Sequence, residues 1–169
     1  KGEGHFVALL EKKGEAVSFP KGQAKSRKIP AEAEEFLKKC RKTEQEKEWI
    51  FRMQDTRLYA LGAEDHMPEK LRYLRTGLYL GECKKNRFEP SQALAMALNP
   101  ETYDSCLSFS REDERVIRYL KGETLDVSDM EIKNPKDWQL VCVDGYSLGW
   151  GKLAGNSLKN KYYAGWRWQ

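Results

Sequence analysis

The 169-residue sequence has few of the side chains on which most metal proteins and disulfide-rich proteins depend. Its only histidines are His5 and His66, and its four cysteines are scattered without a Cys-x-x-Cys pair. A zinc site would need ligands gathered from distant segments, and a disulfide framework would need regular cysteine spacing. We therefore expect no metal site, and free cysteines indicate a reducing compartment.

Several longer motifs are also missing from the sequence. No apolar run approaches the roughly 18 residues of a membrane span, and the first residues lack the pattern of a signal peptide. There is no P-loop, no G-x-G-x-x-G fingerprint and no G-x-S-x-G elbow. We expect no membrane contact and no catalytic or cofactor-binding residue within the chain. Since an initiator methionine is absent, we also expect the chain to be a fragment or a processed product.

Aromatic and charged residues, in contrast, are plentiful. Five Trp, eight Tyr and six Phe can anchor a hydrophobic core, so the composition is that of a folded protein rather than a disordered one. The net charge of +4 is concentrated in two segments, residues 12–28 and residues 145–169, and the second contains no acidic residue. A clustered basic surface attracts phosphate groups, whereas dispersed lysines would only be solvated.

The first half of the sequence predicts a small α+β unit. Residues 5–10 form a continuous apolar run that is typical of a strand buried on both faces, and residues 11–29 resemble a polar linker. Proline, turn and hydrophobic patterns then predict a helix over 30–42, strands over 49–53, 57–61 and 78–80, the last ending at Gly81, and a helix over 90–98. A boundary is expected at residues 100–104.

The second half predicts a small, partly open barrel. Residues 110–113 resemble a capping box that begins a helix through Leu120. Strands over 139–143 and 146–150 flank Asp144-Gly145, a strong hairpin signal, and another strand is expected over 158–162. The fold class is therefore α+β, with domains at 1–29, 30–104 and 105–169.

Residues 145–169 interleave aromatic residues with lysine and arginine. Aromatic rings can stack on unpaired bases while cations contact phosphates, which is how looped or single-stranded RNA is held. Part of these aromatics could instead form the barrel core, and we expect this for Tyr146 and Trp150. The predicted phosphate contacts are Lys152, Lys159, Lys161 and Arg167, with Tyr162 or Trp166 as a stacking surface.

Several segments resemble a known family in the same order along the chain. Residues 2–10 (GEGHFVALL) resemble the last strand of the methyltransferase domain in Sun-family RNA (cytosine-5) methyltransferases. The segment found after the catalytic domain of RsmF-type bacterial enzymes is similar to residues 74–81 (LRTGLYLG) and 87–91 (RFEPS). Their terminal PUA-like domain is similar to residues 119–124 (YLKGET), 145–152 (GYSLGWGK) and 158–160 (LKN). Asn160, in the last of these, completes the predicted RNA-binding set.

This resemblance implies a ribosomal RNA methyltransferase that uses S-adenosylmethionine and a cysteine nucleophile to methylate cytosine C5. The chain would be its RNA-binding C-terminal part: a small α+β domain and a PUA-like pseudo-barrel, preceded by the final strand of a Rossmann-type catalytic domain. The family's Pro-Cys and Thr-Cys motifs have no counterpart here. Catalysis and the cofactor would therefore belong to that catalytic domain. The implied partners are ribosomal RNA and the catalytic domain, and we expect a cytoplasmic monomer.

Two departures from the family pattern concern the basic segment. Ser147 stands where the family usually has proline, and Ala164 stands where it has a lysine, which weakens the basic patch at that point. Two other functions stay open from the sequence. The aromatic C-terminus could dock on the catalytic domain without touching RNA, or the chain could be a self-contained enzyme.

Overall fold

The computed structural model of the chain describes Gly14, residues 28–40, residues 49–62, Tyr73 and residues 75–169. The strand predicted over 5–10, both histidines and most of the linker predicted over 11–29 lie outside the described residues. The described part contains helices and two sheets. In chain order the elements are α1 (Ala31–Lys38), β1 (Ile50–Gln54), β2 (Arg57–Leu61), β3 (Leu78–Lys84), β4 (Arg87–Pro90), α2 (Gln92–Ala97), β5 (Cys106–Phe109), α3 (Glu114–Leu120), β6 (Leu125–Asp126), β7 (Trp138–Val143), β8 (Tyr146–Ala154), β9 (Ser157–Asn160) and a 3₁₀ turn (Ala164–Trp166).

The first sheet has the order β1-β2-β3-β4, and all of its pairings are antiparallel. The predicted hairpin between β1 and β2 is confirmed, and Asp55 in its turn has a positive φ of 53°. Helix α2 is confirmed too: the hydroxyl of Ser91 accepts a hydrogen bond from the amide of Leu94 at 3.0 Å, which satisfies one free donor of the first turn.

The prediction that the third strand ends at Gly81 is wrong, because β3 continues to Lys84 and pairs with β4. Gly81 allows β3 and β4 to approach each other closely, and it does not end the strand. A Cβ at this position would lie 2.3 Å from the carbonyl oxygen of Glu89 on β4. Glycine at 81 thus lets the two strands meet, and the sequence pattern cannot distinguish this use from a turn.

The second sheet has the order β5-β7-β8-β9-β6, in which β5 and β7 are parallel and the other pairs antiparallel. The predicted Asp144-Gly145 hairpin is confirmed, and both residues have positive φ, as a type I′ turn requires. Helix α3 begins one turn later than a Ser110 cap would give. Its N-cap is Asp113, whose carboxylate accepts from the amide of Arg115 at 2.9 Å.

A hydrophobic core joins the two sheets. One cluster contains Phe36 and Leu37 of α1, residues of the first sheet and α2, and Leu140, Cys142 and Trp150 of the second sheet. Trp150 is 1% exposed and its indole nitrogen donates to the carbonyl of Ser91 at 2.8 Å. Ser147 strengthens the same joint, since its hydroxyl donates to the carbonyl of Leu98. The first sheet, α2 and the second sheet are thus packed around shared side chains.

A second cluster lies within the curled second sheet and α3. Its buried members are Leu107, Phe109, Val116, Tyr119, Leu125, Val127, Val141 and Leu158. The hydroxyl of Tyr119 donates to the carbonyl of Trp150 at 2.9 Å, which connects α3 to the centre of the joint. The expected core position of Trp150 is confirmed. The same expectation for Tyr146 is wrong: its side chain is 77% exposed, because it lies at the tip of the β7–β8 hairpin.

Candidate nucleic-acid interface

Three residues form a row across strands β7, β8 and β9. Trp138 pairs with Lys152, and Lys152 pairs with Lys159. Residues directly opposite each other in antiparallel strands point to the same side, so the three side chains share one face of the sheet. The ammonium nitrogen of Lys152 lies 4.9 Å from the centroid of the Trp138 ring, a cation–π contact. We call Trp138, Lys152 and Lys159 the lysine row.

Among the residues that the structure describes, the two lysines of the row have no acidic partner within ion-pair distance. Some other cations of the fold are paired, as in Lys39 with Asp137 at 2.6 Å and Arg115 with Asp113 at 2.7 Å. Within the described ranges, no carboxylate lies within ion-pair distance of Lys152, Lys159 or the neighbouring Lys161. All three lysines are exposed. Their positive charge is therefore available to a phosphate group.

An open cleft of about 490 Å³ lies beside the row, between the two sheets. One side is lined by the second sheet and the following segment, through Trp138, Trp150, Lys161 and Tyr163. The other side is lined by Tyr79, Glu82, Glu89, Pro90, Ser91, Gln92 and Ala93. The backbone amide of Lys161 donates to the carbonyl of Trp150 at 3.0 Å, which fixes the segment at the cleft. We call the first side the basic rim. The second side, together with Lys84 and Arg87, which pair with its carboxylates, is the paired rim.

The paired rim contains both signs of charge, but its charges neutralise each other. The ammonium of Lys84 lies 2.5 Å from Glu89 and 3.4 Å from Glu82, and Arg87 lies 2.9 Å from Glu89. The hydrogen bond from Lys84 lowers the pKa of the Glu89 carboxyl below its ordinary value. Both carboxylates retain lone pairs that can accept further hydrogen bonds.

The C-terminal segment extends the aromatic surface from the cleft. Tyr163 at the cleft has its ring centroid 5.7 Å from that of Trp166, which lies 6.3 Å from that of Tyr162. Tyr162 packs on Tyr119 at 5.4 Å and is half-buried, so part of this predicted stacking side chain supports the fold. Trp166 is 51% exposed.

The side chains of Arg167 and Asn160 contact residues at the end of α3 and in the C-terminal segment rather than the lysine row. Arg167 packs against Gly122, just after α3, and donates to the carbonyl of Tyr162 at 3.3 Å. The amide nitrogen of Asn160 donates to the carbonyls of Tyr119 and Glu123, and its oxygen accepts from the amide of Tyr162 at 2.8 Å. Both polar atoms of Asn160 are therefore used by the fold, and we no longer include it among the RNA-contacting candidates.

Sequence reasoning missed the contribution of residues far from the C-terminus. Trp138 precedes the interleaved segment, and only the strand register shows that it lies beside Lys152. The paired rim comes from β3, β4 and α2, more than 40 residues earlier in the chain. A tryptophan directly before the strand predicted over 139–143 was the available signal for Trp138. No comparable signal marks the paired rim.

Cys83, Cys106 and Cys142 are free thiols, and all four cysteines lie in half-buried or buried positions. The sulfur atoms of Cys106 and Cys142 are 3.2 Å apart. Contact with Cys142 and burial raise the pKa of the Cys106 thiol. Among the residues with described positions, no group of three or more His, Cys, Asp or Glu side chains could hold a metal ion. None of the described helices has the length and hydropathy of a membrane span.

Family models match both halves of the chain. Residues 35–98 match the RsmF rRNA methyltransferase first C-terminal domain, and residues 106–168 match the methyltransferase RsmF PUA domain. A curated relative, the ribosomal RNA small subunit methyltransferase F of Shewanella loihica, is 32% identical over 96 residues. That alignment covers 57% of this chain and 18% of the relative.

These matches agree with the architecture described above. The second sheet with α3 occupies the residues matched by the PUA model, which confirms the expected PUA-like pseudo-barrel. The first sheet with α2 occupies the residues matched by the first C-terminal domain model. The chain therefore belongs to the RsmF rRNA methyltransferase family, of which it carries the first C-terminal domain and the PUA domain.

Proposed function

We propose that this chain is the RNA-binding part of an S-adenosylmethionine-dependent methyltransferase that modifies cytosine C5 in small-subunit ribosomal RNA. Its role is delivery: it holds the folded RNA so that a catalytic domain meets one cytosine, which must leave the base stack before it can react. The observation that carries the proposal is that Lys152, Lys159 and Lys161 lie beside exposed aromatic rings and have no acidic partner among the residues whose positions are described. The proposal includes a cytoplasmic location and a monomeric state, and sedimentation analysis would check the monomeric state.

The described residues do not fit S-adenosylmethionine, so we assign that cofactor to the catalytic domain. The glycine-rich stretch of this chain lies inside β8 rather than at a strand-to-helix turn. A Cβ on Gly151 would lie 2.6 Å from Leu158, and one on Gly149 would lie 2.7 Å from the hydroxyl of Tyr119. Both glycines therefore serve packing, and they leave no space for a nucleotide against the strand.

Binding to RNA through phosphate contacts makes a quantitative prediction about salt. The experiment is fluorescence anisotropy of a labelled fragment of small-subunit ribosomal RNA with the chain, at several KCl concentrations. Changing Lys152, Lys159 and Lys161 together to Ala should weaken binding about tenfold or more at low salt. The plot of log affinity against log salt has a negative slope, and its magnitude should decrease by about 2 because three phosphate contacts are lost.

A matched control removes the same charge elsewhere. Lys28, Lys38 and Lys133 are exposed and belong to neither the lysine row nor the cleft. Their combined change to Ala should leave the salt slope nearly unchanged. Equal effects of the two triple variants would show that only net charge matters, and the placement of the interface would then be wrong.

A second candidate function is docking of the C-terminal aromatics on the catalytic domain without RNA contact. The observation that favours it is the exposure of Trp166 and Trp168, which are 51% and 53% exposed. The two functions can be distinguished by whether the chain binds RNA on its own. The RNA-binding function predicts that the chain alone binds RNA, whereas docking predicts binding only when a catalytic domain is present.

A further inference from the structure

We propose that the cleft between the two sheets receives the base of one unpaired RNA nucleotide, whose phosphate is held by the basic rim. This inference rests on the proposed RNA-binding function and assigns the cleft a specific ligand class. Its volume of about 490 Å³ falls within the range of about 300–1,000 Å³ that is typical of small-ligand sites. Like many such sites, the cleft lies between two structural units.

Aromatic side chains line the cleft from both sides. Tyr79 comes from β3, Trp138 from β7, and Tyr163 from the segment after β9. The ring of Trp150 lies beneath them and is immobilised by its hydrogen bond to Ser91 and by a T-shaped contact with Trp138 at 6.3 Å. Flat rings around a rigid floor suit a flat base, because every nucleobase offers a π-face for stacking.

The charge at the entrance distinguishes a nucleotide from an apolar ligand. Lys161 lines the cleft, and Lys152 covers the Trp138 ring from the lysine row. A nucleotide inserted with its base in the cleft carries its phosphate at the entrance, where these ammonium groups can bind it. Bases in a duplex are stacked and cannot enter, so the cleft should select unpaired nucleotides.

The paired rim adds hydrogen-bond acceptors to this environment. The carboxylates of Glu82 and Glu89 line the cleft, and their ion pairs with Lys84 and Arg87 leave lone pairs free. Carboxylates accept from exocyclic amino groups such as that of cytosine. We therefore expect bases with an amino group to bind more tightly than uracil.

The test uses the full chain and a ten-nucleotide RNA with 2-aminopurine at its centre, alone or annealed to its complement. Stacking in the cleft should quench 2-aminopurine fluorescence when the single strand binds, and no such quenching should accompany duplex binding. Tyr163→Ala should weaken single-strand binding about tenfold. Replacing the central 2-aminopurine by uridine in a competitor strand should weaken competition relative to cytidine.

A second variant blocks the cleft without removing any binding group. Ala93 is an exposed residue of the cleft lining, so Ala93→Trp should abolish the quenching while leaving the salt slope unchanged. The controls are Tyr146→Ala and Ala154→Trp, which alter exposed positions outside the cleft lining. If Ala93→Trp fails to fold, Tyr163→Ala still tests the inference. Tyr163 is 57% exposed, so its change to Ala should leave the fold intact.

The outcomes separate this inference from the proposed function. Salt-dependent RNA binding without quenching, or quenching that survives in Tyr163→Ala and in folded Ala93→Trp, would overturn the nucleotide site and leave RNA binding intact. Absence of RNA binding by the unmodified chain would overturn both. Quenching by single strand only, lost in the cleft variants and retained in the controls, is the result we expect.

Discussion

The two rims of the cleft contain similar numbers of cations but use them differently. On the paired rim, Lys84 and Arg87 are bound to Glu82 and Glu89, so little net charge faces a ligand. On the basic rim, Lys161 and the adjacent lysine row have no carboxylate within ion-pair distance among the residues described. Counting lysines would rate the rims alike, whereas their partners show that only one is free to bind phosphate.

This difference also indicates how a strand of RNA would lie. If the chain binds RNA as proposed, the phosphate chain would lie along the basic rim, and the paired rim would offer hydrogen-bond acceptors to a base that enters the cleft. Such an arrangement requires that the rims keep a fixed separation, which the shared core provides through Trp150.

The largest expected effect concerns this shared core. Trp150→Ala should lower the free energy of unfolding by about 3–5 kcal/mol, because it removes the largest buried side chain of the joint. Urea unfolding followed by fluorescence and by circular dichroism should show the loss in one common transition. Trp166→Ala, which alters an exposed tryptophan, should change stability by no more than about 0.5 kcal/mol. Separate transitions for the two sheets in the unmodified chain would mean that the rims are not held as one body.

A moderate effect is expected from making the paired rim resemble the basic one. Glu89→Gln removes the carboxylate partner of Arg87 and the nearer of the two carboxylates beside Lys84, while the amide oxygen remains an acceptor. RNA affinity measured by anisotropy should rise about two- to fivefold, with a steeper salt dependence. Glu112→Gln makes the same charge change at an exposed residue outside the cleft lining and is the control. Equal gains in both variants would mean that partner geometry does not distinguish the rims.

The smallest expected effect is on acid stability. Lys84 holds the pKa of the Glu89 carboxyl below its ordinary value, so ionised Glu89 stabilises the fold above that value. This contribution is lost as pH falls through the lowered pKa. In Lys84→Ala the Glu89 pKa should move up toward its ordinary value, and the loss of stability between about pH 5 and pH 3 should become shallower. An NMR titration of the Glu89 carboxyl measures the shift, and an unchanged pKa would show that Lys84 is not its main partner.

Local signals predicted the elements that depend on local chemistry. The Asp144-Gly145 turn, the helix predicted over 90–98 and the two strands of the β1–β2 hairpin are encoded by neighbouring residues, and the structure contains all three. Strands β4, β5 and β6 are only two to four residues long and exist through pairing with distant strands. A short segment carries no periodicity of its own, so these strands could not be inferred from the sequence.

The candidate site likewise combines features that the local sequence predicts with features that only the tertiary fold creates. The interleaving of basic and aromatic residues over 145–169 marked Lys152, Lys159 and Lys161 as candidates, and all three side chains are exposed. The use of Asn160 as a bridge between α3 and the C-terminal segment depends on carbonyls of Tyr119 and Glu123, far along the chain. The cleft itself needs residues 79–93 beside residues 138–163, a juxtaposition that only the tertiary fold creates.

Mapping RNA contacts along the chain tests the central claim most directly. A small-subunit ribosomal RNA fragment with 4-thiouridine in its unpaired loops can be photo-crosslinked to the chain and the modified peptides identified by mass spectrometry. We predict crosslinks in the peptides that contain Trp138, Lys152, Lys161 and Tyr163, with fewer at high salt. Crosslinks confined to α1 and the β1–β2 hairpin, with none at the cleft or the lysine row, would contradict the account.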